Sequence, residues 1–131
     1  MNHRPIAIGM VLCDQVIDEE GTHNVTPVNC FNHRELDMLP GESTFFALVW
    51  LADGEGELSA QIVVERLDTL EEVHRFTRKL AFTSRLQESR CLAKIRSCKF
   101  PVAGYYQVSL IIDGEFIAHR KFRVHTKGAK T

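Results

Sequence analysis

No apolar run in the sequence approaches the roughly 20 residues a helix needs to cross a membrane. The N-terminal stretch MNHRPIAIGMVLCDQV meets Gly9, Cys13 and Asp14 before a signal-like apolar core develops. These absences predict a native first strand, a cytoplasmic location and no membrane partner. Catalytic signatures are also missing: no GxSxG elbow, no HExxH and no phosphate-cradling glycine loop, since Gly54 and Gly56 belong to a turn. The acid pairs Glu19-Glu20 and Glu71-Glu72 fall in predicted turns, where solvated carboxylates are expected. The reading is therefore of a chain that is not an enzyme and takes no cofactor. Internal repeats and low-complexity segments are absent as well.

Metal-binding spacing is equally scarce. The four cysteines, Cys13, Cys30, Cys91 and Cys98, form no CxxC knuckle and sit singly in strand-like segments, which predicts reduced, packed thiols. Cys91 and Cys98 are seven apart, so in a regular strand they face opposite sides unless a bulge intervenes. Cys13 and Cys30 flank a hairpin but are read as unsymmetrical about its turn. Of the six histidines, only His119 and His125 share a predicted strand and face, about 20 Å apart, too far for one ion. No metal site is expected.

What is present suits one globular domain. At 131 residues, with 44% apolar and 25% charged residues, the chain is long enough to bury about two thirds of its unfolded surface without staples. Ordered structure is expected over about residues 5–125, with 126–131 a frayed tail. The net charge of -1 hides an uneven distribution: ten acids face Arg4 and Arg34 up to Glu57, a balance of -8, and seven acids face fourteen bases from Leu58 onward, a balance of +7. Either the molecule is electrically two-sided, or interleaved strands average the asymmetry away.

The segment from Phe100 to Val124 contains strand, turn and returning strand. Tyr106, Val108 and Leu110 alternate with Gln107 and Ser109, the period of a half-buried strand. A three-residue loop of Ile112, Asp113 and Gly114 would put Phe116, Ala118, Phe122 and Val124 on that same face, and is preferred to a two-residue Asp113-Gly114 turn. Earlier in the chain, Ile6–Ile17 reads as a first strand with Gly9 a bend or bulge. Asn24–Phe31 returns as an edge strand marked by Pro27, and His33–Glu42 reads as a loop. Ser43–Ala52 is apolar on both faces, with Phe46, Leu48 and Trp50 on one side and Phe45, Ala47, Val49 and Leu51 on the other. Leu58–Glu65 pairs back with Leu58, Ala60, Ile62 and Val64 inward. Val73–Phe82 reads as a strand, although a Thr69 to Glu72 capping box makes a helix the rival over Thr69–Leu80. Arg90–Phe100 follows with Cys91, Ala93 and Ile95 on one face. The predicted fold is an all-β antiparallel β-sandwich of seven to eight strands, with Trp50, Phe46, Ile62, Phe76, Ile95, Tyr106, Val108 and Phe122 in the core.

Two functional readings from different classes remain. The first is a non-catalytic protein–protein interaction or assembly module that binds a protein partner or itself through Phe45, Val49 and Leu51 on the second face of the apolar strand. The second is polyanion or nucleic-acid binding through outward bases, Arg75, Lys79, Lys94, Arg96, Lys121 and Arg123. Few outward aromatics accompany them, and the pI near 6.6 is far from basic.

The pattern resembles a family of small, uncharacterised bacterial proteins known only as a domain of unknown function. The matching residues are Val11-Leu12-Cys13-Asp14-Gln15-Val16, the hairpin to Val25, Val28 and Phe31, Pro40, and the closing Phe100-Pro101, Gly104, Tyr106, Asp113-Gly114-Glu115 and Phe122-Arg123-Val124. The resemblance implies an immunoglobulin-like β-sandwich and supplies no catalytic or binding residue. Asn29 stands where that pattern leads one to expect glycine.

Overall fold

The computed structural model describes residues 2–127. The chain is all β: β1 (Ile6–Asp18), β2 (Val25–Cys30), β3 (His33–Leu36), β4 (Gly41–Ala52), β5 (Gly56–Arg66), β6 (Glu72–Phe82), β7 (Ser89–Phe100), β8 (Gly104–Ile112) and β9 (Glu115–Thr126). They form a four-stranded sheet in the order β2-β1-β4-β7 and a five-stranded sheet in the order β3-β9-β8-β5-β6. One apolar core lies between the two sheets, drawing Leu12, Phe45, Val49, Leu51 and Ile95 from the first and Ile62, Val64, Tyr106, Val108, Leu110 and Phe122 from the second. Each such side chain stabilises the fold by about 1.5–3 kcal/mol when taken from water.

The expected seven to eight strands become nine, because the predicted loop after Phe31 contains β3. That strand runs parallel to β9, with His33 opposite Arg123 and Leu36 opposite Thr126, so the arrangement is not purely antiparallel. Pairing with a strand some ninety residues away leaves no local turn signal to read. Of the tail expected to fray from residue 126, Thr126 belongs to β9 and the Lys127 amide donates to the Leu36 carbonyl at 2.9 Å. The rest of that tail lies outside the described residues. Over Thr69–Leu80 the helix rival is overruled. Glu72–Phe82 pairs along β5, with Ile62 opposite Phe76, and Leu70 at φ 60° turns the chain.

The closing hairpin uses the two-residue turn after all. Ile112 pairs with Glu115, and Asp113 and Gly114 both take positive φ (49° and 83°), the combination of a type I′ turn. A bulge further along, between the Leu110–Ala118 and Ile111–Phe116 pairs, restores the phase. Phe122 and Val124 therefore reach the core as expected, while Phe116 is 67% exposed. A bulge also explains Cys91 and Cys98. Register shifts opposite Ser43–Phe45, Ser97 takes φ 47°, and both thiols enter the core. Gly9 sits at a bulge in β1, and Pro27 lies on β2, an edge strand, as its missing amide requires. Asn29 has φ 56°, the left-handed region that glycine favours and asparagine tolerates.

Five rings close one end of the core. Phe31, Phe45, Phe122, Phe100 and Tyr106 meet edge to face at centroid separations from 4.9 to 6.1 Å. The Tyr106 hydroxyl, deep inside, donates to the Val102 carbonyl at 2.7 Å, and burial raises its pKa. Outside this cluster Arg34 spans three strands. It donates to Asp14 on β1 and, on β4, to Ser43 Oγ at 2.9 Å and the Thr44 carbonyl at 3.0 Å, while Asn29 donates to the same Asp14 carboxylate. On the opposite side, where β6 and β7 lie at the sheet edges, Arg78 donates across to the Leu92 carbonyl.

Candidate interaction surface

Register decides which side chains each sheet presents outward. Along the four-stranded sheet, Gly9 lies opposite Trp50, Val11 opposite Leu48 and Cys13 opposite Phe46, and on the other flank Leu48 lies opposite Leu92 and Phe46 opposite Lys94. These residues alternate with the core set Met10, Leu12, Ala47 and Val49, so they share the outer face. Leu48 and Cys13 are fully buried yet stand apart from the central core cluster. Their own outer neighbours cover them. A Cβ placed on Gly9 would lie 3.3 Å from the Trp50 ring, so glycine lets the indole lie flat against β1. The Lys94 ammonium sits 5.7 Å from the Phe46 centroid, a cation–π contact. Ile6 and Ile8 at one end and Ile17 at the other are 59%, 52% and 50% exposed. Apolar side chains thus run along the whole outer side of this sheet.

This inverts the expected faces of β4. Phe45, Val49 and Leu51, the residues expected to meet a partner, have 0%, 2% and 0% exposure and fill the core. Phe46 and Trp50, expected inside, are half-buried on the outer side, while Phe76, also assigned to the core, is half-buried on edge strand β6 and packs against the core cluster. With apolar side chains on both faces, alternation shows only that two sets exist.

The outer face of the five-stranded sheet is mostly polar, with Val63, Ile111 and the exposed Phe116 and Tyr105 among its polar side chains. Across it run Arg75–Val63–Ser109–His119 and, beside that row, Glu65–Gln107–Lys121. Of the six bases expected to form one polyanion-binding face, Arg75, Lys79, Lys121 and Arg123 lie on this sheet, whereas Lys94 and Arg96 lie on β7 of the other. The structure does not bring the six together. Arg75 is engaged by Glu72 at 2.9 and 2.5 Å and by Gln61 at 2.7 Å, and Lys79 lies 3.6 Å from Glu57. Those hydrogen bonds lower the Glu72 pKa and raise that of Arg75.

Two features of this face escaped the sequence reading. Tyr105, 59% exposed, stands opposite Arg123 and borders a solvent-open groove of about 400 Å³ with Asn32, His33 and His125. His33 Nδ1 and His125 Nε2 approach to 3.3 Å with their rings stacked. The parallel β3–β9 pairing makes that contact, and no spacing in the sequence announces it. Among the described residues, no three His, Cys, Asp or Glu side chains converge on a point that would hold a metal ion. Among the described residues no helix is long and apolar enough to cross a membrane.

Comparison with known proteins adds two findings. A matching solved structure is Pseudomonas fluorescens alkylpurine DNA glycosylase AlkC bound to DNA containing an abasic site analog, at 12% identity and TM-score 0.48, over 72% of this chain and 27% of that one. The chain thus corresponds to about a quarter of the glycosylase. That protein is an enzyme, and the expectation that this chain is not one is withdrawn on that finding; a likeness this slight carries no argument for an activity here. No curated protein matches. The sequence profile of a family of unknown function covers residues 9–125, and by that match the chain belongs to the family DUF6941.

Proposed function

We propose that the chain is an immunoglobulin-like assembly module of the cytoplasm that pairs with a second copy of itself through the outer face of the β2-β1-β4-β7 sheet. The tyrosine-corner-like bond from Tyr106 to Val102 supports the immunoglobulin-like reading, and the cytoplasmic placement rests on the sequence pattern, in which the four cysteines sit singly in strand-like segments. The observation that carries the function is the contrast between the two outer faces. The outer face of the five-stranded sheet is mostly polar, with Phe116 and Tyr105 exposed on it, whereas the other groups Val11, Phe46, Trp50, Leu92 and exposed isoleucines on neighbouring strands, with Arg90 and Lys94 beside them.

Charge selects the occupant and the geometry. The acidic turn Asp18-Glu19-Glu20 ends the β1 side of this sheet, and β7 at the other edge carries Arg90, Lys94, Arg96 and Lys99. Cys13 aligns with Phe46 and Phe46 with Lys94, so the Asp18 end of β1 and the Arg96–Lys99 end of β7 lie at the same end of the sheet. A two-fold axis parallel to the strands lays the acidic side of each copy over the basic edge of the other, twice by symmetry. An axis across the strands stacks β7 on β7 and sets like charges together.

The test is absolute mass by light scattering behind size exclusion, over a concentration series at low and high salt. A dimer whose dissociation constant rises with salt is expected, and Trp50→Glu should give a monomer that keeps the far-ultraviolet circular dichroism of the folded chain and whose melting temperature no longer depends on concentration. A monomer at every concentration in low salt, or a dimer indifferent to Trp50→Glu, overturns the reading.

A further inference from the structure

Cys13 and Cys30 lie directly opposite each other on β1 and β2, correcting the expectation that they are unsymmetrical about the hairpin turn. The Glu19 amide donates to the Asn24 carbonyl at 2.8 Å and the Phe31 amide to the Leu12 carbonyl at 2.9 Å, two bonds of opposite ladder phase on either side of the left-handed Asn29. Directly opposed residues of an antiparallel pair have Cα atoms about 4.5–5.5 Å apart in either phase. That separation lies within the range spanned by disulfides. Cys13 is fully buried and Cys30 is exposed, which gives one sulfur access to a reagent and places the other behind it.

We propose that Cys13 and Cys30 are a reversible modification site, converted to a cross-strand disulfide by exchange with a low-molecular-weight disulfide such as oxidised glutathione. The Cys30 thiolate attacks one glutathione sulfur, the glutathione disulfide bond breaks, and the released thiolate takes up a proton. A mixed disulfide then joins Cys30 to glutathione. The Cys13 thiolate attacks the Cys30 sulfur, the bond from Cys30 to glutathione breaks, and a second glutathione leaves as thiol. Two protein thiols are oxidised and one small disulfide is reduced to two thiols, so atoms and electrons balance. Burial and the neighbouring Cys30 and Asp14 raise the Cys13 pKa, which suits Cys13 to the second, intramolecular step, where effective concentration offsets a small thiolate fraction. The other two thiols stay out of the exchange. Cys91 and Cys98 lie in the core, and burial pushes Cys98 up to about 12.

The experiment incubates the full chain, diluted to where it is monomeric, with oxidised glutathione, then alkylates it in denaturant and measures intact mass and the peptide map. Wild type should lose two hydrogens, accept two alkyl groups instead of four, and yield one linked peptide pair containing Cys13 and Cys30. Cys13→Ser should stop at a glutathione adduct on Cys30, and Cys30→Ser should show neither adduct nor crosslink. Circular dichroism confirms that each variant is folded before it is scored, and Cys13→Ala replaces Cys13→Ser if the hydroxyl is not tolerated. A stable Cys30 adduct on wild type without a crosslink, four free thiols after exposure, or a crosslink involving Cys91 or Cys98 overturns the proposal.

Discussion

Arg34 lies over Phe31 with its guanidinium carbon 4.5 Å from the ring centroid, while the edge of the same group is bonded to Asp14, Ser43 and Thr44. A planar cation with one face on an aromatic ring and its donors engaged by three partners is a role lysine cannot fill. Arg34→Met leaves the Asp14 carboxylate without its cation and the Thr44 carbonyl without this donor. The expected loss is about 2–4 kcal/mol, read as a lower urea midpoint, and Arg34→Lys should recover less than half of it. An unchanged midpoint in Arg34→Met would contradict the clamp.

Acid should weaken the fold in two windows. Burial lowers the His74 pKa, so the folded state favours the neutral ring. Its contribution is complete above the unfolded value near 6.5 and is lost as pH falls through the lower folded value. Bonds from Asn29 and then Arg34 lower the Asp14 pKa. That contribution is complete above about pH 4 and is lost at still lower pH. His74→Phe should flatten the first part of a stability–pH curve followed by denaturant titration, and Asp14→Asn the second. A first window that persists in His74→Phe would assign it to another group.

Tyr106→Phe removes one hydroxyl and leaves the Val102 carbonyl without that partner. The bond is neutral and 2.7 Å long, so the expected cost is about 1–2 kcal/mol. Ring packing against Phe100 at 4.9 Å should survive, leaving the near-ultraviolet circular dichroism of the folded protein intact. Loss of that spectrum would mean that the hydroxyl positions the aromatic cluster.

Strand existence was legible wherever apolar and polar residues alternated cleanly. Leu58, Ala60, Ile62 and Val64 are inward on β5 as the pattern demands, and Cys91, Ala93 and Ile95 are inward on β7. Facing failed on β4 because Phe46, Leu48 and Trp50 are as apolar as Phe45, Val49 and Leu51, and a bulge opposite Ser43–Phe45 shifts the phase on β7. The outer apolar surface was therefore inferred from the right strand and placed on its wrong side. Tyr105 is outward by the same alternation that buries Tyr106, whereas the His33–His125 contact depends on a parallel pairing between distant segments, which carries no periodic signature. The symmetry of Cys13 and Cys30 about the Glu19–Asn24 turn is present in the numbering itself.

The parallel union of β3 with β9 also sets an order of events during synthesis. Residues 33–36 emerge from the ribosome early, but among the described residues their one ladder partner is 123–126, which comes much later. Until then β3 has no strand to pair with, although Asp14, Ser43 and Thr44 are already made for Arg34, and Phe31 and Phe45 wait for Phe122. Loop closure over some ninety residues is slow relative to local pairing. A nascent chain stalled before Phe122 should therefore be open to protease between β2 and β4, and release of the last strand should close that window in one cooperative step.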